Sequence, residues 1–170
     1  AAQLNRVNPE IEIEPIVADI NATNIEQFIE DVDLVVDGSD NFELRYLLND
    51  AAVKLNRPWI YGGVISTHGM TMSIRPGETP CLRCVFPESP APGDAPTCDT
   101  VGVLGPAAAT IAAFESSEAI KYLTGNVEAL NTTLLMIDIW ELTFRQIELG
   151  ERNPSCPACG QGRFEFLDRE

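Results

Sequence analysis

The sequence lacks the features that would place it among membrane, secreted or nucleic-acid-binding proteins. No apolar run approaches the roughly 20 residues that cross a bilayer, and no basic segment followed by an apolar one opens the chain. We therefore expect neither a membrane span nor a signal peptide. Basic residues are scarce, 11 against 26 acidic ones, and the resulting net charge of −15 repels a phosphate backbone. We expect no nucleic-acid partner and no membrane partner.

An initial Met is also lacking, so we expect either a processed protein or part of a longer one. The 170 residues, 45% of them hydrophobic, suffice for a single domain with its own core. Histidine occurs once, as His68, in a predicted turn where nothing nearby completes a catalytic triad. We assign His68 no role.

The first 63 residues show an alternation of predicted strands and helices. The second predicted strand is a continuous apolar run, typical of a parallel strand buried on both faces. The third ends at Gly62 and Gly63. This β-α-β-α-β order predicts an α/β fold with part of a doubly wound, Rossmann-like sheet. The predicted ranges are strand 11–17, helix 24–31, strand 33–37, helix 42–55 and strand 59–61.

After residue 63 the pattern changes to an added antiparallel strand region. A loop over 86–99 is rich in Pro, Gly, Ser and Asp, and loops of this length are usually functional. Pro106 stands in the first turn of a predicted helix that Gly125 closes. The predicted strands are 70–75, 132–140 and 142–149, the last two antiparallel to each other.

Cysteine occurs five times, and four of the five form two C-x-x-C pairs. Thiols without a secretion signal favour a reducing, cytoplasmic compartment, where paired cysteines hold a metal more often than they form disulfides. Two such pairs complete the tetrahedron of a structural Zn²⁺ and leave no position for water. Two disulfides or a redox pair are the alternatives, but a redox pair needs no copy. The expected metal ligands are Cys81, Cys84, Cys156 and Cys159.

Asp40 and Asn41 lie where a strand ends and a helix begins, the edge at which α/β sheets bind ligands. Both residue types are favoured helix caps, and composition alone favours that interpretation. A carboxylate at this edge can equally hold Mg²⁺ against the phosphates of a nucleotide.

Cys98 is the cysteine left outside the two pairs, just before the glycine-rich entry to a helix. A thiol near a helix amino terminus gains thiolate character, which suits a nucleophile. The adjacent Asp99 acts in the opposite direction, and unpaired cysteines are more often inert. Both interpretations of Cys98 stay open.

Six segments together resemble the ThiF/MoeB/HesA family of adenylyltransferases, relatives of the ubiquitin-activating enzymes. They occur in family order from about residue 33 to residue 160, and they are specific only in combination. The opening LNRVNPEIEIEPI is similar to the family's stretch before its third strand. The six segments are DLVVDGSDNFELR, PWIYGGV, TPCLRC, TCDTVGVLGP, SEAIKYLTG and CPACG.

The resemblance implies roles for individual residues. The four paired cysteines match the family's zinc ligands. Asp40 matches the aspartate of its Asp-Asn-x-x-x-Arg motif, which acts at the ATP triphosphate and Mg²⁺, so Asp40 is implied as catalytic and Asp40 and Asn41 as cofactor-binding. Cys98 matches a crossover-loop cysteine that takes up the activated carrier as a thioester or acyl persulfide in ThiF-like members. In MoeB-like members that cysteine can be dispensable.

The implied reaction joins the carboxy-terminal Gly-Gly of a ubiquitin-like sulfur-carrier protein (ThiS or MoaD type) to AMP, and a sulfur donor protein then displaces AMP. The pathway would be thiamin or molybdopterin biosynthesis. The resemblance also implies a homodimer. Residues 1–63 would be the remainder of a nucleotide-binding half, and residues 64–170 a zinc-bound, carrier-binding half of the same single domain.

The departures from the family concern ATP. No G-x-G-x-x-G occurs in the chain, and the family's phosphate loop, ribose-binding acid and phosphate-contacting arginine and lysine precede residue 1. We therefore expect no adenylation by this chain alone. The alternative is a non-catalytic carrier-binding and dimerisation module with a structural zinc. A nicotinamide-dependent oxidoreductase would rest on the βαβ pattern only. Many family members carry glutamine where this chain has Glu115.

Overall fold

The computed structural model describes residues 1–90 and 98–168, without the side chains of Cys98 and Asp99. One five-stranded sheet, in the order β1-β2-β3-β4-β5, forms the centre of the described part. Strands β1 and β2 are parallel, and each later strand is antiparallel to the one before it. The strands are β1 (Val35–Val36), β2 (Trp59–Ile65), β3 (His68–Ile74), β4 (Thr133–Asp138) and β5 (Thr143–Glu148).

Helices cover both faces of the sheet. Trp59 and Tyr61 of β2 join the main core with helices α2 and α3, whereas Val64 packs in a smaller cluster with Ile111 of α6. Side chains alternate between the faces of a strand, so one strand serves both cores. The helices are α1 (Ala2–Val7), α2 (Ile25–Ile29), α3 (Phe42–Lys54), α4 (Leu82–Val85), α5 (Cys98–Val101) and α6 (Gly105–Leu123).

Helix α3 begins where its sequence predicts. The Oδ1 atom of the N-cap Asn41 accepts the N–H of Leu44 at 2.8 Å, which satisfies one of the free amides of the first turn. Residues 45–52 are then buried without a break, so more than two turns in the middle of the helix are enclosed on every side. Helix α6 likewise has Pro106 in its first turn.

The predicted fold class is confirmed: a parallel β-α-β unit continues into an antiparallel region that also holds the four cysteines. The predicted helix over 24–31 corresponds to α2, and the strands over 132–140 and 142–149 correspond to β4 and β5. Residues 91–97 of the predicted loop lie outside the described residues.

The strand predicted over 11–17 is wrong. This segment forms neither helix nor strand, and Val17 is fully exposed. Alternating residues indicate a strand only if a partner accepts its hydrogen bonds, and in the described part no strand pairs with this segment. Pro15 also removes one backbone donor. The short helix α1 just before it was not predicted.

Two further expectations differ in detail. Strand β1 is not buried on both faces: it is the edge of the described sheet, and Val36 is 48% exposed. Strand β2 does not end at Gly62 and Gly63 but runs through them to Ile65, because β3 pairs with it along its whole length. Among residues 1–90 and 98–168, no helix has both the length and the apolar character needed to cross a bilayer.

Candidate functional site

The two cysteine pairs meet in space. The sulfur atoms of Cys81, Cys84, Cys156 and Cys159 lie within 4.8 Å of one another. The Cys81–Cys156 and Cys84–Cys159 sulfurs are 3.6 and 3.3 Å apart, far longer than the roughly 2.05 Å of a disulfide. A tetrahedral Zn²⁺ with bonds of about 2.3 Å requires sulfurs about 3.8 Å apart, and the Cys81–Cys84 distance is 3.9 Å. The cluster is therefore compatible with zinc, and the disulfide alternative is wrong.

Local turns aim each pair at this point. The N–H of Cys84 donates to the carbonyl of Cys81 at 3.0 Å, and the N–H of Gly160 donates to the carbonyl of Cys156 at 3.0 Å. A Cβ at Gly160 would lie 2.7 Å from the carbonyl oxygen of Asn153 and closer still to that of Pro154. Only glycine fits the second turn as it stands.

The charge of the cluster also favours a cation. Burial, followed by the neighbouring Cys84, raises the pKa of the Cys159 thiol to about 11. Four ionised thiols therefore cannot share this buried space by themselves. A bound dication supplies the opposite charge and deprotonates the thiols it coordinates.

A buried ionic network surrounds the first pair. Arg83, between Cys81 and Cys84 in the sequence, contacts Asp50 of α3 at 3.4 Å and Glu165 at 2.6 Å. The guanidinium also lies 5.2 Å from the ring centre of Phe166, whose N–H donates to Asp50 at 3.1 Å. The network ties the carboxy-terminal segment to α3.

A second constellation lies at the carboxyl end of β1. Asp37 is buried, and its Oδ1 accepts the N–H of Ser39 at 2.8 Å while its Oδ2 accepts the Nε–H of Arg45 at 3.0 Å. Arg45 also donates to the carbonyl of Ser39 at 2.6 Å. One ion pair therefore fixes the loop that leads to Asp40.

The structure places Asp40 and Asn41 differently. Asn41 is the N-cap of α3, so the capping interpretation holds for this residue. Asp40 is exposed and is not the N-cap; its Oδ1 accepts a 3.2 Å hydrogen bond from the side-chain amide of Asn41. The carboxylate of Asp40 thus faces solvent beside the loop that the Asp37–Arg45 ion pair holds.

An apolar groove opens beside this loop. Its volume is about 330 Å³, near the lower limit for small-molecule sites. Asp37, Gly38 and Ser39 line its polar end, and the remaining walls are apolar. The apolar residues are Ile20, Ile25, Phe28, Ile29, Val36, Leu44 and Leu48.

Glu115 of α6 approaches the same end of the sheet from the other face. It is only 6% exposed, and its Oε1 has no hydrogen-bond partner within the described residues. A Cβ at Gly62 of β2 would lie 2.8 Å from its Oε2, so glycine makes the room for this carboxyl group. Burial, reinforced by Asp37 and opposed by Arg45, raises the pKa of Glu115 to about 7.

Two residues singled out in the sequence, Cys98 and His68, lie at the starts of α5 and β3. Cys98 begins α5, but its side chain lies outside the described residues. His68 begins β3 instead of occupying a turn, and its Nε2 lies 3.1 Å from Asp138 Oδ2.

Exposed apolar residues also occur at the end of the sheet. Every residue of β5 is exposed, and Trp140, Leu142 and Phe144 are 72%, 76% and 59% exposed. We call these three residues, at the turn and start of the β4–β5 hairpin, the hairpin patch. Three large apolar side chains exposed within residues 140–144 indicate a candidate interaction surface.

From the sequence alone we assign no role to Asp37, Arg45 or Glu115. Asp37 has a detectable signal, a charge directly after an apolar strand. Glu115 lies one helical turn after the buried Ile111, which places it on the inner side of α6. Arg45 is visible only as part of a motif, since its partner comes from tertiary structure.

Comparisons with known proteins agree with this geometry. The ThiF family model matches residues 1–158. The SAMP-activating enzyme E1 of Haloferax volcanii is 38% identical over 99% of this chain and 62% of its own length. The sulfur carrier protein ThiS adenylyltransferase of Bacillus subtilis is 37% identical over 99% of this chain and 49% of its own length. A sulfur carrier protein adenylyltransferase of Thermus thermophilus is 38% identical over 93% and 60%.

Solved structures give the same fold. Crystal structures of E. coli MccB with ATP and of MccB with N-formylated MccA superpose with TM-scores of 0.76 and 0.77 at 22% identity. Each covers 94% of this chain, which corresponds to 49% and 50% of the MccB chain. The chain thus spans between 49% and 62% of the length of these relatives and structures.

Proposed function

Because the chain belongs to the ThiF family, we propose that it forms part of an enzyme that adenylates the carboxy-terminal Gly-Gly of a ubiquitin-like sulfur-carrier protein. Two of its relatives are named as sulfur-carrier adenylyltransferases. The observation that carries the proposal is the loop after β1, where the buried Asp37–Arg45 pair holds an exposed Asp40 beside an apolar groove. The pathway would be thiamin or molybdopterin biosynthesis in the cytoplasm.

In this proposal the loop and the groove divide the work of nucleotide binding. When bound, ATP supplies the adenylyl group and Mg²⁺ neutralises phosphate charge. Asp40 would hold Mg²⁺ at the triphosphate, Asn41 would orient the loop through its cap on α3, and the apolar walls of the groove would contact the base. The chemistry is thus positioning and charge neutralisation.

Zinc would have a structural part. Cys81, Cys84, Cys156 and Cys159 would hold it, and four thiolates leave no open position for catalysis. The ion would join residues distant in sequence within 64–170, the proposed carrier-binding half, while 1–63 would belong to the nucleotide-binding half.

Cys98 would be the nucleophile that takes up the activated carrier from AMP before a sulfur donor protein acts. Cys98 is the first residue of α5, just before α6. The support for this role is the match of Cys98 to the crossover-loop cysteine in sequence. With the complete reading-frame product, Cys98→Ala should leave adenylate formation intact and abolish thiocarboxylate formation, both followed by mass spectrometry of the carrier. Full sulfur transfer by the variant would exclude an obligatory role.

A second candidate is a non-catalytic module that binds the carrier or a second copy of itself. The hairpin patch and the exposed Ile120 and Leu123 of α6 favour it, because they offer apolar surface for a partner. In either case we propose that this chain alone does not activate a carrier.

The test is ATP–pyrophosphate exchange with a Gly-Gly-ending carrier. We expect exchange from the complete reading-frame product and none from the 170-residue chain. Asp40→Ala should lower the exchange rate by about a hundredfold or more, because it removes a charge aimed at the phosphates.

The matched control is Asp31→Ala, an exposed aspartate outside the loop, which should exchange as the wild type does. Intact exchange by Asp40→Ala would contradict the assignment of Asp40. No exchange by the complete product with any carrier would favour the binding module.

A further inference from the structure

Asn49 is a polar residue in the most buried stretch of α3. Its side chain is 0% exposed and points at the first cysteine pair. Its Oδ1 accepts the N–H of Leu82 at 2.9 Å, and its Nδ2 lies 3.8 Å from the sulfur of Cys81. One amide group therefore contacts both the backbone of the cysteine turn and a sulfur atom.

The chemistry of the two contacts fixes the orientation of the amide. The N–H of Leu82 can be met only by an acceptor, so Oδ1 must face it. Nδ2, which carries two donor hydrogens, must then face Cys81. A carboxylate or an apolar side chain at this position would satisfy at most one of the two contacts.

A donor at this sulfur matters most if the sulfur is ionised. A thiolate bound to a metal keeps negative charge that a nearby N–H stabilises, and such contacts also fix the ligand's direction. Cys84 is only partly buried, so water can supply a donor to its sulfur. The fully buried Cys81 has the side chain of Asn49 in the corresponding role.

We propose that Asn49 is a positioning residue of the zinc site, donating an N–H to the Cys81 thiolate and holding the turn that carries it. The inference rests on the proposed zinc site. Asn49 lies eight residues after the N-cap Asn41, about 12 Å along α3. The helix that begins at the Asp40 loop is thereby attached directly to the metal cluster.

The test is Asn49→Asp. Aspartate keeps an acceptor for Leu82, removes the donor and adds a negative charge beside Cys81. We expect the zinc dissociation constant to rise about 10- to 100-fold, measured by competition with a chromophoric chelator. The matched control is Asn8→Asp, at an exposed asparagine whose Oδ1 also accepts a backbone N–H, from Glu10 at 3.0 Å. Its zinc affinity should equal that of the wild type.

Cobalt adds a readout that loss of packing alone would not move. In Co²⁺-loaded Asn49→Asp, the thiolate-to-cobalt charge-transfer bands should shift to longer wavelength, because a sulfur without its donor holds its electrons less tightly. If the wild type binds no Zn²⁺, the zinc site itself is wrong. If the wild type binds Zn²⁺ and the variant matches it in affinity and spectrum, only the role of Asn49 is wrong.

A measurement on the wild type covers the case in which Asn49→Asp does not fold. In protein loaded with ¹¹³Cd²⁺, the Asn49 side-chain amide protons should show a scalar coupling to cadmium through the hydrogen-bonded sulfur. Amide resonances of Asn49 without such coupling, and unchanged between loaded and metal-free protein, would overturn the proposal.

Discussion

At the scale of single residues, Glu115 is a carboxyl group kept where its charge is unfavourable. It faces Gly62 and is buried near Asp37 and Arg45, which act on its charge in opposite directions. Its pKa rises from the ordinary 4.5 to about 7. The native state therefore binds this proton more tightly than the unfolded state does. The stability that results is complete below about pH 4.5 and is lost as the pH rises through about 7.

Glu115→Gln should therefore stabilise the chain in alkaline solution. The variant has no charge to bury, so at pH 8 its free energy of unfolding should exceed that of the wild type by about 3 kcal/mol. At pH 4, below both pKa values, the two should be nearly equal. Urea denaturation at both pH values measures the difference. Glu128→Gln, at an exposed glutamate, removes the same charge and should show no such pH dependence. A constant difference between Glu115→Gln and wild type would contradict the burial argument.

At the scale of elements, the second cysteine turn requires glycine at position 160 for space and not for backbone conformation, since its φ is not positive. Gly160→Ala would push a Cβ against the backbone carbonyls of Asn153 and Pro154. The turn must then shift, and we expect a loss of about 1–3 kcal/mol in unfolding free energy together with weaker zinc binding. Gly105→Ala, where a Cβ meets nothing within 4 Å, is the control and should be neutral or slightly stabilising. Equal behaviour of the two variants would show that the turn is not close-packed.

The elements that could be predicted are those whose signals are local. Asn41 and the apolar spacing after it define α3, and Pro106 marks the start of α6. The strand predicted over 11–17 is wrong because the alternation of apolar and polar residues does not reveal whether a partner strand exists. The predicted end of β2 at Gly62 and Gly63 is wrong for the opposite reason. Strand β3 supplies hydrogen bonds along the whole of β2, and these override the poor strand propensity of glycine.

The site shows the same division. Two C-x-x-C pairs predict that their four sulfurs lie close together, because four thiolates complete the coordination of one zinc ion. Asp37 with Arg45 and Asn49 with Cys81 depend on contacts between separate elements, so spacing in the sequence does not reveal them. Polar residues within the apolar pattern of α3, Asn49 and Asp50, were the available hint.

At the scale of the whole molecule, charge and apolar surface oppose each other. The net charge of −15 keeps copies of the chain apart over distances of about 10 Å at 0.1 M salt. The hairpin patch favours contact at short range, and β5 has both faces exposed. A positively charged partner could therefore cover this surface with help from electrostatic attraction. For a negatively charged partner, the free energy gained by burying apolar surface must exceed the cost of charge repulsion.

The exposed strand β5 also has a consequence for handling the protein. It is the last strand of the described sheet, so its outer backbone groups can template a neighbouring strand from another copy. Electrostatic repulsion is the barrier against this stacking, and dissolved ions lower that barrier. Concentrated stocks should thus keep longest in dilute buffer well above the isoelectric point of about 4.3, and precipitation by salt should begin at this strand.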